Sequence, residues 1–126
     1  MVEMILLGIG VYLINVYVAA SLLMSRIGIM AYMGPRDTLP EPGIYRARAV
    51  KAADNFAENL PIFLGLGILA LVVEGTDMAL AMLGAQIFVA SRVVYLAVYV
   101  AGLPVVRSIV FTVGAAGLAL MAYALL

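Results

Sequence analysis

Apolar residues dominate this chain in long blocks, and the polar positions that separate the blocks define its elements. Met4 to Ser25 holds 22 residues without a charge, roughly 33 Å as a helix, which matches a hydrocarbon core of about 30 Å. After Arg26 comes a stretch with Gly28, Gly34, Pro35, Pro40, Pro42 and Gly43 among polar residues, which predicts a loop of about 15 to 18 residues. A loop of that length without structure of its own points to a functional segment.

The next uncharged run, Asn59 to Val73, has only 15 residues and cannot span alone. The pattern therefore predicts a helix from about 44 to 73, whose first third carries Arg46, Arg48, Lys51, Asp54, Asn55 and Glu58. That third either protrudes into water or lines a polar pocket at the membrane edge. Pro61 inside the helix frees the carbonyl four residues earlier and favours a kink. A turn at Glu74 to Asp77 leads to a helix over 78–101, and Gly102, Leu103 and Pro104 turn the chain into a last helix over 105–126. The expectation is a single all-α domain, 1–126, an integral membrane four-helix up-down bundle with spans at about 4–25, 44–73, 78–101 and 105–126.

Composition supports this and removes whole classes of chemistry. With 67% apolar and 11% charged residues, a chain this short could not hide its apolar surface in a core, whereas lipid solvates it. It has neither Cys nor His, so disulfides, protein thiolates, iron–sulfur ligation and the usual zinc sites are excluded and no metal site is expected. Seven basic residues balance seven acidic ones, which gives no electrostatic reason to bind nucleic acid. The first segment does not resemble a cleaved leader, because Glu3 stands where a positive region is needed and the apolar run is too long.

The charges are unevenly placed. Arg26, Arg36, Arg46, Arg48 and Lys51 flank the first loop and Arg107 the third, so both loops are expected on the cytoplasmic side, with Glu3, Glu74 and Asp77 opposite. Gly8, Gly65, Gly84, Gly114 and Gly117 are positions where helices can approach, within the bundle or between subunits.

Two stripes carry candidate chemistry. Arg48, Lys51, Asn55 and Glu58, spaced 3, 4 and 3, share one helix face with Asp54 beside them. Cationic donors, an amide and a carboxylate suit a small zwitterion with carboxylates and an amine; the same residues could instead form an internal ion-pair ladder. Phe88, Arg92, Tyr95 and Tyr99, spaced 4, 3 and 4, form the second stripe. Arg92, inside a span, needs a partner or a polar cavity, and Glu58 is the candidate. The tyrosines read either as pocket residues or as an interfacial belt. Arg107 opens the last helix, where the dipole already favours an anion, and reads as an anion site or as a topology-setting charge; Arg26 stands between the same two readings. Arg36, Asp37 and Glu41 are taken as solvated loop charges.

The run Arg46-Ala-Arg48-Ala-Val-Lys51-Ala-Ala-Asp54-Asn55-Phe56-Ala57-Glu58-Asn59-Leu60-Pro61-Ile62-Phe63 resembles the second-helix signature of the MAPEG superfamily, the membrane-associated proteins in eicosanoid and glutathione metabolism. Ser91-Arg92-Val-Val-Tyr95-Leu-Ala-Val-Tyr99-Val-Ala-Gly102-Leu-Pro104-Val-Val-Arg107 is similar to the third corner of its short bacterial members. The resemblance implies a homotrimer in a bacterial inner membrane, with glutathione as co-substrate bound near the cytoplasmic face between subunits. It implies glutathione contacts at Arg26, Lys51, Asn55, Glu58, Tyr95 and Tyr99, with Arg48 and Arg92 added from the stripes, and it gives Arg107 the role of stabilising the thiolate. Lys51 stands where the family pattern has arginine and cannot make the same bidentate contact, which makes Arg48, one turn earlier, the candidate to compensate. The implied function is a glutathione transferase or peroxidase acting on a hydrophobic electrophile that partitions from membrane lipid. A non-catalytic subunit or scaffold of a larger complex, and a module binding lipid or a small anion, are the other readings of the same features. Four short spans without an inverted repeat argue against a transporter.

Overall fold

The computed structural model describes residues 1–35, 37–39, 41 and 43–126. Arg36, Pro40 and Pro42, assigned to the first loop from sequence, lie outside the described residues. Four helices are long and apolar enough to cross a membrane: α1 (Val2–Ile27), α3 (Ile44–Val72), α4 (Met78–Ala101) and α5 (Pro104–Tyr123), with the short α2 (Ile29–Met33) between the first two. They run up, down, up and down. Among the described residues no strand forms.

The first loop departs from expectation. Gly28, with φ of 80°, is the single break between α1 and α2, after which the chain returns to helix for five residues. Only glycine adopts that conformation without strain, so the first part of what reads as a long loop is a helical extension that ends at Met33. The other bounds agree with the sequence to within a few residues. α3 runs unbroken through Pro61, and Asn59 Nδ2 donates to the Asn55 carbonyl at 2.8 Å one turn before it. At the far end Asp77 caps α4, accepting from the Leu80 N–H at 3.0 Å, while its own N–H donates to the Ala124 carbonyl at 3.0 Å. That bond pins the end of α5 to the start of α4.

Large apolar residues such as Leu6, Val72 and Val105 face outward, as expected where lipid is the solvent, and small residues fill the contacts between helices. The tightest is α4 against α5. A Cβ at Gly84 would lie 2.6 Å from the Gly117 carbonyl oxygen, and one at Gly117 would lie 2.7 Å from that of Gly84. Gly8 of α1 makes room for the Phe63 ring of α3. Gly65 differs: a Cβ there meets nothing within 4 Å, so it has no packing role inside the subunit. The core is aromatic, with Phe63 and Phe88 stacked at 4.7 Å and Phe56 edge-on to Phe88 at 6.0 Å. Asn15 is buried on α1 and donates to the Val11 carbonyl at 2.9 Å.

The two glycine environments generate a paired prediction. Gly84→Ala forces α4 and α5 apart and destabilises the subunit by about 1–3 kcal/mol, whereas Gly65→Ala leaves stability unchanged or raises it by up to about 1 kcal/mol through helix propensity. Reversible unfolding in detergent micelles measures both.

Candidate functional site

The polar residues gather at one end of the bundle, where α1 ends, α3 begins and α4 turns into α5. Gly102 ends α4 in the left-handed conformation, φ 77°, and its N–H donates to the carbonyls of Val98 and Tyr99 at 3.1 and 3.0 Å. Pro104 then starts α5, where its missing N–H leaves no gap. This corner sets Arg107, in the first turn of α5, beside Tyr99 in the last turn of α4. The Arg107 guanidinium lies over the Tyr99 ring at 4.7 Å, and Tyr99 meets Tyr95 edge-on at 5.5 Å.

Opposite this pair, the first third of α3 supplies Lys51, Asp54, Asn55 and Glu58. Together the three helices enclose an open cavity of about 520 Å³, lined by these four residues, by Tyr95 and Tyr99, and by Arg107, Ser108, Phe111 and Thr112 of α5. Thus Lys51, Asn55, Glu58, Tyr95, Tyr99 and Arg107, six residues separated by up to 56 positions in the chain, converge on one space. Among the described residues no ion pair joins Lys51 to Asp54 or Glu58, so the ladder expected as the alternative does not form.

Three candidates lie elsewhere. Arg48 projects towards the corner, where its Nη1 donates to the Val100 carbonyl at 3.1 Å and its guanidinium packs over Gly102, occupying the space a Cβ would need. It caps the C-terminal end of α4, a position that suits a cation, and lines a smaller cavity of about 180 Å³ with Tyr99 and Arg107. Arg48 and Lys51 therefore point into different spaces, and Arg48 does not replace the missing arginine in the larger one. Arg26 is exposed at the end of α1, with its guanidinium against Gly43.

Arg92 is 1% exposed and sits behind the cavity wall. Its partner is not Glu58, as the stripe suggests, but Asn55, whose Oδ1 accepts from Nη1 at 2.9 Å. Glu58 lies exposed one turn further along α3. Phe56, Phe88, Tyr95 and Phe111 surround the guanidinium, with ring centroids 4.9 to 5.8 Å from Cζ. Aromatic faces stabilise a desolvated cation by about 2 kcal/mol each at best, and here they replace the carboxylate.

Sequence reasoning did not find Ser108, Phe111 and Thr112. Their signal is spacing: Phe111 follows Arg107 by four positions and Thr112 follows Ser108 by four, two adjacent rows on α5. The two hydroxyls donate back to helix carbonyls, Ser108 to Pro104 at 3.1 Å and Thr112 to Ser108 at 3.0 Å, which leaves their oxygens as acceptors. Both also border an apolar groove of about 400 Å³ along α5, shared with Ile109, Val113 and Ala116.

Comparison with curated proteins and with solved structures returned no match. The family model described as MAPEG family matches residues 4–126, nearly the whole length. With that match and four helices able to span a membrane, the chain belongs to the MAPEG family, whose members are membrane proteins of glutathione and eicosanoid metabolism.

Proposed function

We propose that the protein is a glutathione transferase or peroxidase that works on hydrophobic electrophiles at the basic end of the bundle. One observation carries this reading: Lys51, Asn55, Glu58, Tyr95, Tyr99 and Arg107 share a cavity and leave their charges unpaired with one another. Glutathione has two carboxylates, one ammonium and a thiol. Lys51 answers a carboxylate, Glu58 and Asp54 answer the ammonium, and Arg107 with the N-terminal dipole of α5 favours the thiolate over the thiol. The thiolate sulfur attacks the carbon bearing the leaving group; the S–C bond forms as the C–X bond breaks, X leaves with the bonding pair, and the thiol proton has passed to solvent. With a hydroperoxide the sulfur takes one oxygen, the alcohol leaves, and a second glutathione completes the disulfide and releases water.

The apolar groove along α5 adjoins the cavity at Ser108 and Thr112 and gives an electrophile dissolved in membrane lipid a path to the sulfur. Lys51, Asp54 and Glu58 are exposed on an isolated subunit. Assembly as a homotrimer with the cavity between subunits covers them. The basic end then faces the cytoplasm.

Calorimetric titration with glutathione and conjugation of an aromatic halide test the reading. Glu58→Gln weakens glutathione binding by about 10- to 100-fold, the range for a lost charged hydrogen bond. Arg107→Ala leaves binding nearly intact but slows conjugation by about 100-fold or more, as expected when charge stabilisation at the reacting atom is removed. It also moves the pH–rate profile to higher pH, because the guanidinium lowers the thiol pKa and its loss raises it. Absence of both glutathione binding and thiol-dependent turnover in the parent protein refutes the proposal.

A further inference from the structure

Arg92 poses a problem that the glutathione reading leaves unsolved. A buried guanidinium in a membrane span is expensive, and apolar residues of similar volume would pack there with equal or greater stability. Yet its side chain makes one hydrogen bond, to Asn55 Oδ1 at 2.9 Å, while Nε and Nη2 have no partner. The surroundings are shaped to admit it. Four rings enclose it, the Ser91 hydroxyl next to it is turned away to the Phe88 carbonyl at 2.6 Å, and α5 presents Gly114, where a Cβ would stand 3.2 Å from Nη2.

We propose that Arg92 is a positioning residue: by holding Oδ1 of Asn55, it turns the Asn55 Nδ2 amide group into the cavity as a fixed donor for a carboxylate or carbonyl oxygen of the ligand. A side-chain amide has an oxygen at one end and an NH2 at the other, and in a neutral setting it can reverse. Guanidinium has five donors, no acceptor, and no accessible deprotonated form. Facing it, Asn55 must present oxygen and must therefore aim its NH2 the other way, where the cavity lies. The Asn59 side chain does not compete, since it bonds the Asn55 backbone carbonyl. Lys51 and Arg107 supply charge at the cavity wall, whereas the Arg92–Asn55 pair supplies a donor with a direction. Rigid donors discriminate between ligands that have an oxygen at the right place and ligands that do not.

The inference rests on the glutathione reading, and its test separates the two. Asn55→Asp keeps size and keeps an acceptor facing Arg92, but exchanges the donor in the cavity for an acceptor. Without ligand, it unfolds at a temperature no lower than the parent, because an ion pair replaces a hydrogen bond. In an Arg92→Met background the same substitution lowers the unfolding temperature, since a carboxylate is then left unpaired. With glutathione, Asn55→Asp weakens binding by about 10- to 100-fold, and it raises KM with little change in kcat because the contact is equal in ground and transition states. Arg92→Lys, which retains a cationic donor, keeps most of the parent affinity, and this arm stands if Arg92→Met fails to fold. Parental affinity in Asn55→Asp overturns the proposal, as does an Asn55→Asp effect on unfolding that is the same with and without Arg92. If the parent binds no glutathione, the functional reading falls, and the ligand-free coupling decides whether Arg92 sets the Asn55 amide.

Discussion

A chain solvated by lipid gains nothing from moving large apolar groups inward, so its helices must be held by close backbone approach and by what little polar chemistry the interior contains. That constraint shapes the whole subunit. Gly84 and Gly117 bring α4 and α5 nearly into backbone contact. The aromatic residues gather where α3 meets α4, and the Phe56, Phe63 and Phe88 cluster is continuous with the rings around Arg92. Packing and charge are thereby joined: the rings that fill the core also stabilise the buried cation.

The same constraint sorts the polar groups. Backbone carbonyls at the end of α4 lack helical partners, and at a membrane edge each needs a donor. Arg48 provides one to Val100, so a residue on the same stripe as Lys51 is committed to structure. Arg107, in the next helix, is left free of that duty and rests on Tyr99. The division follows from the corner at Gly102 to Pro104, which determines where the helix end and the helix start fall relative to α3.

Much of this was legible in the sequence because the signals were long or strongly patterned. Runs of uncharged residues placed the four spans, and the spacing on α3 and α4 named Lys51, Asn55, Glu58, Tyr95 and Tyr99, which line the cavity with Arg107 from the start of α5. The misreadings came from features that depend on three dimensions. Helical resumption after Gly28 hangs on a single positive φ, which a window of turn-forming residues hides. Glu58 looked like the partner of Arg92 because charge complementarity was weighed without depth, and Asn55 is the residue whose height along α3 matches. Gly65 and Gly84 are the same residue type in similar settings, and only the neighbouring helix distinguishes a contact from an open face. Asn15 drew no notice because a lone amide in an apolar run has no periodic partner to signal burial.

The charges around the cavity constrain what it can hold. Lys51 and Arg107 line it together with Asp54 and Glu58, two cations and two carboxylates, so the wall is neutral overall and carries both signs. A simple anion or a simple cation would meet groups of its own sign as well as of the opposite one. The ligand proposed above, a zwitterion with its charges several bonds apart, can pair with both. Arg92 alters the balance from behind the wall: its charge reaches the cavity through a dipole, the Asn55 amide, and is felt as a donor with orientation. Sequence position 54 matters for the same reason. In the proposed reading a carboxylate beside Glu58 adds a second acceptor for an ammonium, and Asn55, one residue further along the helix, still lines the cavity.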